Sequence, residues 1–127
     1  MELIFKICSK GEWSRAEKEK VFRGSAADLS DGFIHFSTAE QLAETAAKHF
    51  AGRSDLLLIG VDPEALGENL RFEPSRGGAL FFPHLYAQLP LSAVRFVEPV
   101  PLDKSGNHLL PSPQRLSSYA VTRLSAR

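Results

Sequence analysis

Apolar positions in this chain fall into short runs separated by turn residues, with one stretch at helical spacing among them, and that order predicts an α+β domain. Leu3-Ile4-Phe5-Lys6-Ile7 predicts a first strand, ended by a polar turn at Ser9-Lys10-Gly11. A charged helix is expected from Trp13 to about Val21, starting near Ser14, with Trp13 and Ala16 turned inward; Gly24 to Ser30 reads as a loop. In the next strand, Phe33–Phe36, alternation sends Ile34 and Phe36 to one face and Phe33, His35 and Ser37 to the other. Thr38 and Gln41 have the spacing of a capping box, and Ser37 with Glu40 offers a second register. A helix is therefore expected over Ala39–Phe50, with Leu42, Ala46 and Phe50 four apart on one stripe and His49 near it as a structural residue.

Leu56-Leu57-Leu58-Ile59-Gly60-Val61 is a continuous apolar run between aspartates, the pattern of a strand covered on both faces and so central in its sheet. Pro63 to Leu66 predicts a brief helical turn stopped by Gly67. Leu70-Arg71-Phe72-Glu73 alternates, placing Arg71 and Glu73 on one face, and Ser75-Arg76-Gly77-Gly78 reads as a turn. Pro83 cannot donate to a ladder, which assigns the segment around Phe82–Tyr86 to an edge or a loop; Ala93–Val97 is the last clear strand. The expectation is one α+β domain over residues 1–110, with a mainly antiparallel split sheet and flanking helices. A basic, Ser- and Pro-containing tail follows over 111–127, where Arg115, Arg123 and Arg127 meet no acid.

Composition narrows the partners. The 127 residues are 43% hydrophobic and 24% charged, the balance of a globular protein able to bury a core. Lys and Arg equal Asp and Glu at 15 each, so the basic excess of a nucleic-acid binder is missing; the expectation of a small-molecule ligand as partner rests on polar segments set among apolar neighbours. Cys8 stands alone, which rules out an internal disulfide. The first residues lack the basic start and sustained apolar stretch of a signal peptide, and no apolar run approaches membrane-spanning length; a cytoplasmic location, off the membrane, is the expectation. The four histidines are too far apart in sequence to suggest a metal site, and none is expected.

Three segments place polar groups among apolar neighbours: Phe33–Thr38, Leu70–Gly78 and Phe82–Tyr86. His35 and Ser37 at the entrance to a helix suit an electron-rich ligand, or equally a buried histidine beside an ordinary capped helix. Glu73, between Arg71 and Arg76, should stay ionised, which suits stabilisation of a cation better than acid catalysis; a surface ion pair beside a hairpin turn has the same pattern. His84 and Tyr86 share a side if the chain is extended there. They could bind a planar ligand, move a proton, or lock a Pro-containing corner. If the first readings hold, His35, Glu73 and His84 should line one concave site.

Three stretches in order, DGFIHFST with Gln41, then LRFEPSRGGALF, then FPHLY, resemble the bacterial family known as domain of unknown function 952 over roughly residues 1 to 110. That family in turn resembles the ADP-ribosyltransferase fold, whose members hold NAD in a cleft between two small sheets. FIHFS with the later LRFEPSRGGALF is similar to the catalytic half of RNA 2′-phosphotransferases, without their winged-helix half. The resemblance implies NAD or a related nucleotide as substrate, with a transferase or N-glycoside hydrolase activity. It puts His35 and Ser37 on a ribose or nicotinamide amide, Arg76 on a phosphate and Glu73 beside a developing oxocarbenium. Beside the residues the resemblance implies, His84 is a candidate catalytic residue from its own segment, and Thr38, Gln41, Arg71 and Tyr86 join Ser37 and Arg76 as candidate ligand-binding residues. The same cleft could serve a non-catalytic binding module for a nucleotide-like ligand.

Overall fold

The computed structural model describes residues 2–74 and 78–118. Strand β1 (Ile4–Ser9) leads into helix α1 (Lys10–Glu19), followed by β2 (Val21–Phe22), helix α2 (Ala26–Asp31), β3 (Ile34–His35), helix α3 (Leu42–His49) and β4 (Leu56–Val61). After a 3-10 segment at Pro63–Asn69 come β5 (Leu70–Pro74), β6 (Phe81–Leu85), β7 (Leu89–Pro90) and β8 (Val94–Val100). All pairings between these strands are antiparallel: one sheet has the order β1-β4-β8, a second the order β3-β6-β5, and β2 pairs with β7 as a short ribbon. Phe5 and Ser37 exchange backbone hydrogen bonds of 2.9 and 2.8 Å, joining the two sheets at one point. The result is the expected α+β architecture with antiparallel sheets and several helices.

β4 is interior to its sheet, as its apolar run predicts. Its alternation feeds two cores: Ile59 and Val61 pack with Ile4, Cys8, Trp13 and Phe22, while Leu56 and Leu58 pack with Phe5, Ile7, Leu42 and Ala46. β1 alternates in the same sense, so the side chain of Lys6 falls on the face of Ile4 and Cys8, inside the first core. Leu42 and Ala46 anchor α3 to the second core, with Phe50 packed at its end, whereas His49 is exposed. Residues 113–118 are helical and Leu116 is buried in the second core, so packing continues past residue 110; positions 119–127 of the expected tail lie outside the described residues.

Several local expectations need correction. Ser9 is not in a turn but caps α1, its hydroxyl accepting from Glu12 N while Glu12 bonds Ser9 N, so that helix starts earlier than Ser14. Val21 leaves the helix for β2 after Lys20 adopts a left-handed conformation. The loop expected at Gly24–Ser30 is largely α2, closed by a second capping box between Ser25 and Asp28. Only half of the Thr38–Gln41 box forms: Thr38 N donates to Gln41 Oε1 at 3.0 Å, and α3 begins at Leu42 rather than Ala39.

Pro83 sits in the middle strand of its sheet, not at an edge. In an antiparallel strand the N–H and C=O of one residue face the same neighbour. Pro83 O accepts from Phe36 N at 2.9 Å, so the missing donor faces β3, whose ladder covers only Ile34 and His35; toward β5 no bond is lost.

Candidate functional site

Helix α2, β3 and the β5–β6 pair meet around Phe33. Its ring stacks on that of His84 with centroids 4.1 Å apart and lies 4.6 Å from His35 and 5.2 Å from Tyr86. The His35 and His84 rings, opposite each other in the β3–β6 register, meet edge-on at 5.6 Å. Glu73, on β5, completes the group: its Oε1 accepts from the Tyr86 hydroxyl and from His84 Nδ1, the latter at 2.9 Å. His35, Glu73, His84 and Tyr86, from three separate segments, therefore converge.

The Tyr86 hydroxyl, then His84, hold the Glu73 carboxyl below its ordinary pKa, and the same bond pushes the Tyr86 phenol upward. Glu73 is ionised, as its sequence context predicts, but the main cause is the phenol and the imidazole rather than a pair of guanidinium groups. Arg71 contributes a weaker attraction and lies over the Tyr86 ring at 5.0 Å; Arg76, with Ser75 and Gly77, lies outside the described residues. His84 is 2% exposed, covered by Phe33, so it orients Glu73 from behind instead of facing solvent.

His35 is held differently. Its Nδ1 donates to Asp28 Oδ1 at 2.6 Å, its backbone N donates to the same oxygen at 3.1 Å, and its Nε2 lies 2.9 Å from Asp31 Oδ2. Asp28 is itself buried and also accepts from Lys6 Nζ, at 2.9 Å to Oδ1 and 2.8 Å to Oδ2, and from Ser25 N at 2.8 Å. Burial alone would raise the Asp28 carboxyl; hydrogen bonds from His35, Lys6 and Ser25 with the Lys6 charge outweigh it and hold the group well below the usual carboxylate range. A charged chain thus runs from β1 through Asp28 and His35 to Asp31. Two signals in the sequence mark it: a lysine at an inward position of an apolar strand, which needs an anion, and the capping spacing of Ser25 and Asp28.

The remaining predicted positions sit farther back. Ser37 is buried with its hydroxyl 2.9 Å from Thr45 Oγ1, on the far side of the strand junction, where it cannot stand beside His35 toward a ligand. Thr38 and Gln41 form the turn before α3, and Gln41 Nε2 donates to Phe81 O at 2.7 Å, bracing the β5–β6 hairpin. A groove of about 420 Å³ opens beside the cluster, lined by Phe33 and Tyr86 with Asp28, Arg23, Leu29 and Gln88 among its walls; His35, Glu73 and His84 are not on its lining, so the single concavity expected of them is not formed by these three side chains. Cys8 is buried and its thiol is pushed up to about 12, chiefly by burial. Among the described residues, no cluster of three or more His, Cys, Asp or Glu side chains is arranged to hold a metal ion, and no helix is long and apolar enough to cross a membrane.

The model for the family described as Protein of unknown function (DUF952) matches residues 7–97, and the chain belongs to that family. It is similar to the crystal structure of protein CC0527 from Caulobacter crescentus, at 48% identity over 90% of this chain and 97% of that one with a TM-score of 0.81. The solution NMR structure of CC0527 aligns at 50% identity over 84% and 91% of the two chains, with a TM-score of 0.76. A search of the curated proteins returns no match.

Proposed function

We propose that this chain is an ADP-ribosyltransferase-like protein that takes NAD or a related nucleotide beside Phe33 and acts at the nicotinamide–ribose bond. One observation carries the reading: an ionised Glu73, fixed by Tyr86 and His84, stands at the edge of an aromatic cluster that also holds His35. Phe33 and the part-exposed Tyr86 offer flat faces to a planar ring, and a groove of about 420 Å³ is of the size that small-molecule sites have. A carboxylate held in place by two donors needs no reorganisation to face positive charge developing on a ribose, which is how such a group lowers a barrier. His35 is the polar group for a ribose hydroxyl or the nicotinamide amide, and Arg76 the phosphate partner that the family resemblance implies. Ser37, Thr38, Gln41 and His84 support these groups. Equal numbers of acidic and basic residues favour a small ligand over nucleic acid.

The test is nicotinamide release and ligand affinity measured together. Glu73→Gln keeps the shape and removes the charge, so release should fall on the order of 10²-fold or more with affinity for NAD or ADP-ribose largely kept. His35→Ala should weaken binding itself. A second reading, a binding module without catalysis, is favoured by the burial of His84, which leaves only Glu73 and His35 of the three part-exposed, and by the absence of all three from the lining of the groove. Nucleotide binding by the wild type with no nicotinamide release would establish that reading, and failure to bind NAD, ADP-ribose, nicotinamide or phosphorylated nucleotides would refute both.

A further inference from the structure

The structure assigns to buried Asp28 the positioning of His35, and we infer that Asp31 holds His35 Nε2 in the free protein at the place a hydroxyl or carbonyl oxygen of the ligand takes. The second half rests on the proposed function; the first does not.

β3 is two residues long, and a strand that short fixes a side chain poorly by its own ladder. Asp28 supplies what the ladder lacks. One of its oxygens takes both the His35 backbone N–H and the ring Nδ1, so main chain and imidazole are fixed to a single atom. Asp28 is in turn immobilised by Lys6 from β1 and by the Ser25 N–H at the start of α2. Gly24, at φ +123°, passes so close that an added Cβ would stand 2.9 Å from Asp28 Cβ, so a side chain there would push on the aspartate. With Nδ1 committed inward, Nε2 is the one ring atom left to make an outward bond. The groups around the ring are Asp28 and Asp31 from α2, His84 from β6 and the Phe33 ring; Lys6 reaches it only through Asp28. Asp31, on the last turn of α2, is part-exposed, whereas Asp28 is 2% exposed.

Two readouts separate the halves. Imidazole ¹H–¹⁵N spectra of the free protein should show a slowly exchanging, far-downfield Nδ1–H for His35. That signal should persist in Asp31→Ala and move upfield in the double variant Lys6→Met/Asp28→Asn, which removes the buried pair together and so keeps the fold. Its absence in the wild type, or its persistence unmoved in the double variant, overturns the role of Asp28 whatever the protein binds. For affinity, calorimetry with ADP-ribose as the probe should find Asp31→Ala tighter by a few-fold, because a competitor for Nε2 is gone. The double variant should be weaker by about tenfold or more, the cost of misdirecting a charge-assisted hydrogen bond. Weaker binding by Asp31→Ala overturns the exchange. A wild type that binds no ADP-ribose overturns the exchange together with the proposed function, and leaves the Asp28 assignment to the spectra.

Discussion

Asp28→Asn changes one atom type at a site where every neighbour is a donor. Oδ1 accepts from Lys6, the His35 ring and the His35 backbone N–H; Oδ2 accepts from Lys6 and Ser25 N. Whichever way the amide is placed, its NH₂ faces a donor and one set of bonds is lost. Lys6, with its side chain 7% exposed, then loses its anionic partner in a buried position. Removing one partner of a buried pair typically costs about 3–5 kcal/mol, a large share of the roughly 5–15 kcal/mol that holds a domain together. Urea unfolding followed by far-UV circular dichroism should show the midpoint of Asp28→Asn fall with an unchanged slope, and Lys6→Met/Asp28→Asn should recover much of the loss because no buried charge is stranded. The pH dependence has a definite sign. The folded carboxyl titrates below the unfolded one, so its contribution is complete above the unfolded pKa of about 4 and disappears as pH falls through the lower folded value. Wild type should therefore lose stability on acidification below about pH 4 more steeply than the double variant. A single-variant loss under about 1 kcal/mol would refute the argument that a buried charge depends on Asp28.

Gly60→Ala should cost about 1–3 kcal/mol in the same assay, since an added Cβ would run into the Phe96 ring and that ring packs beside Phe5; Phe96→Leu in the alanine background should restore part of it. Cys8 should resist alkylation in the folded protein at neutral pH and react once urea unfolds it, because burial keeps it a thiol; rapid labelling of the native state would contradict its placement. Ser25→Ala should cost about 1 kcal/mol through the lost cap of α2, and a thermal midpoint equal to wild type would show the cap to be dispensable.

The strands that could be read from sequence are those whose burial pattern is self-contained. Leu56–Val61 is apolar at nearly every position because both its faces meet a core, and its length and flanking aspartates favour a strand over a buried helix. α2 and the β2–β7 ribbon were hidden for the opposite reason: two residues of ladder carry no periodicity, and α2 buries Asp28 where an amphipathic helix would bury a leucine. Pro83 misled because the rule about edges concerns one bond, not one strand. In the site, Glu73, His84 and Tyr86 were legible as polar residues among apolar neighbours, but the register sets His84 opposite Arg71 and Glu73 opposite Phe82, so Glu73 meets His84 and Tyr86 diagonally. His35 reached the same cluster through β3, but its partners Asp28 and Asp31 lie on a helix, and a contact between a helix and a strand leaves no spacing to read.

The cluster around Phe33 has little local structure of its own, which ties its geometry to the core. β1 is the wall shared by both cores: Phe5 and Ile7 face one, Ile4 and Cys8 the other. From that wall Lys6 reaches Asp28, and Phe5 bonds the backbone of Ser37 just past β3. The short strand carrying His35 is thus held at one end by a backbone exchange with β1 and at the other by a carboxylate that β1 neutralises. On the far side, Gln41 braces the hairpin that bears Glu73. A lysine in the middle of an otherwise apolar strand is costly by itself, and a leucine there would serve the core better. Its placement is explained by Asp28, whose buried charge it neutralises and which in turn caps α2 and holds His35 by backbone and ring.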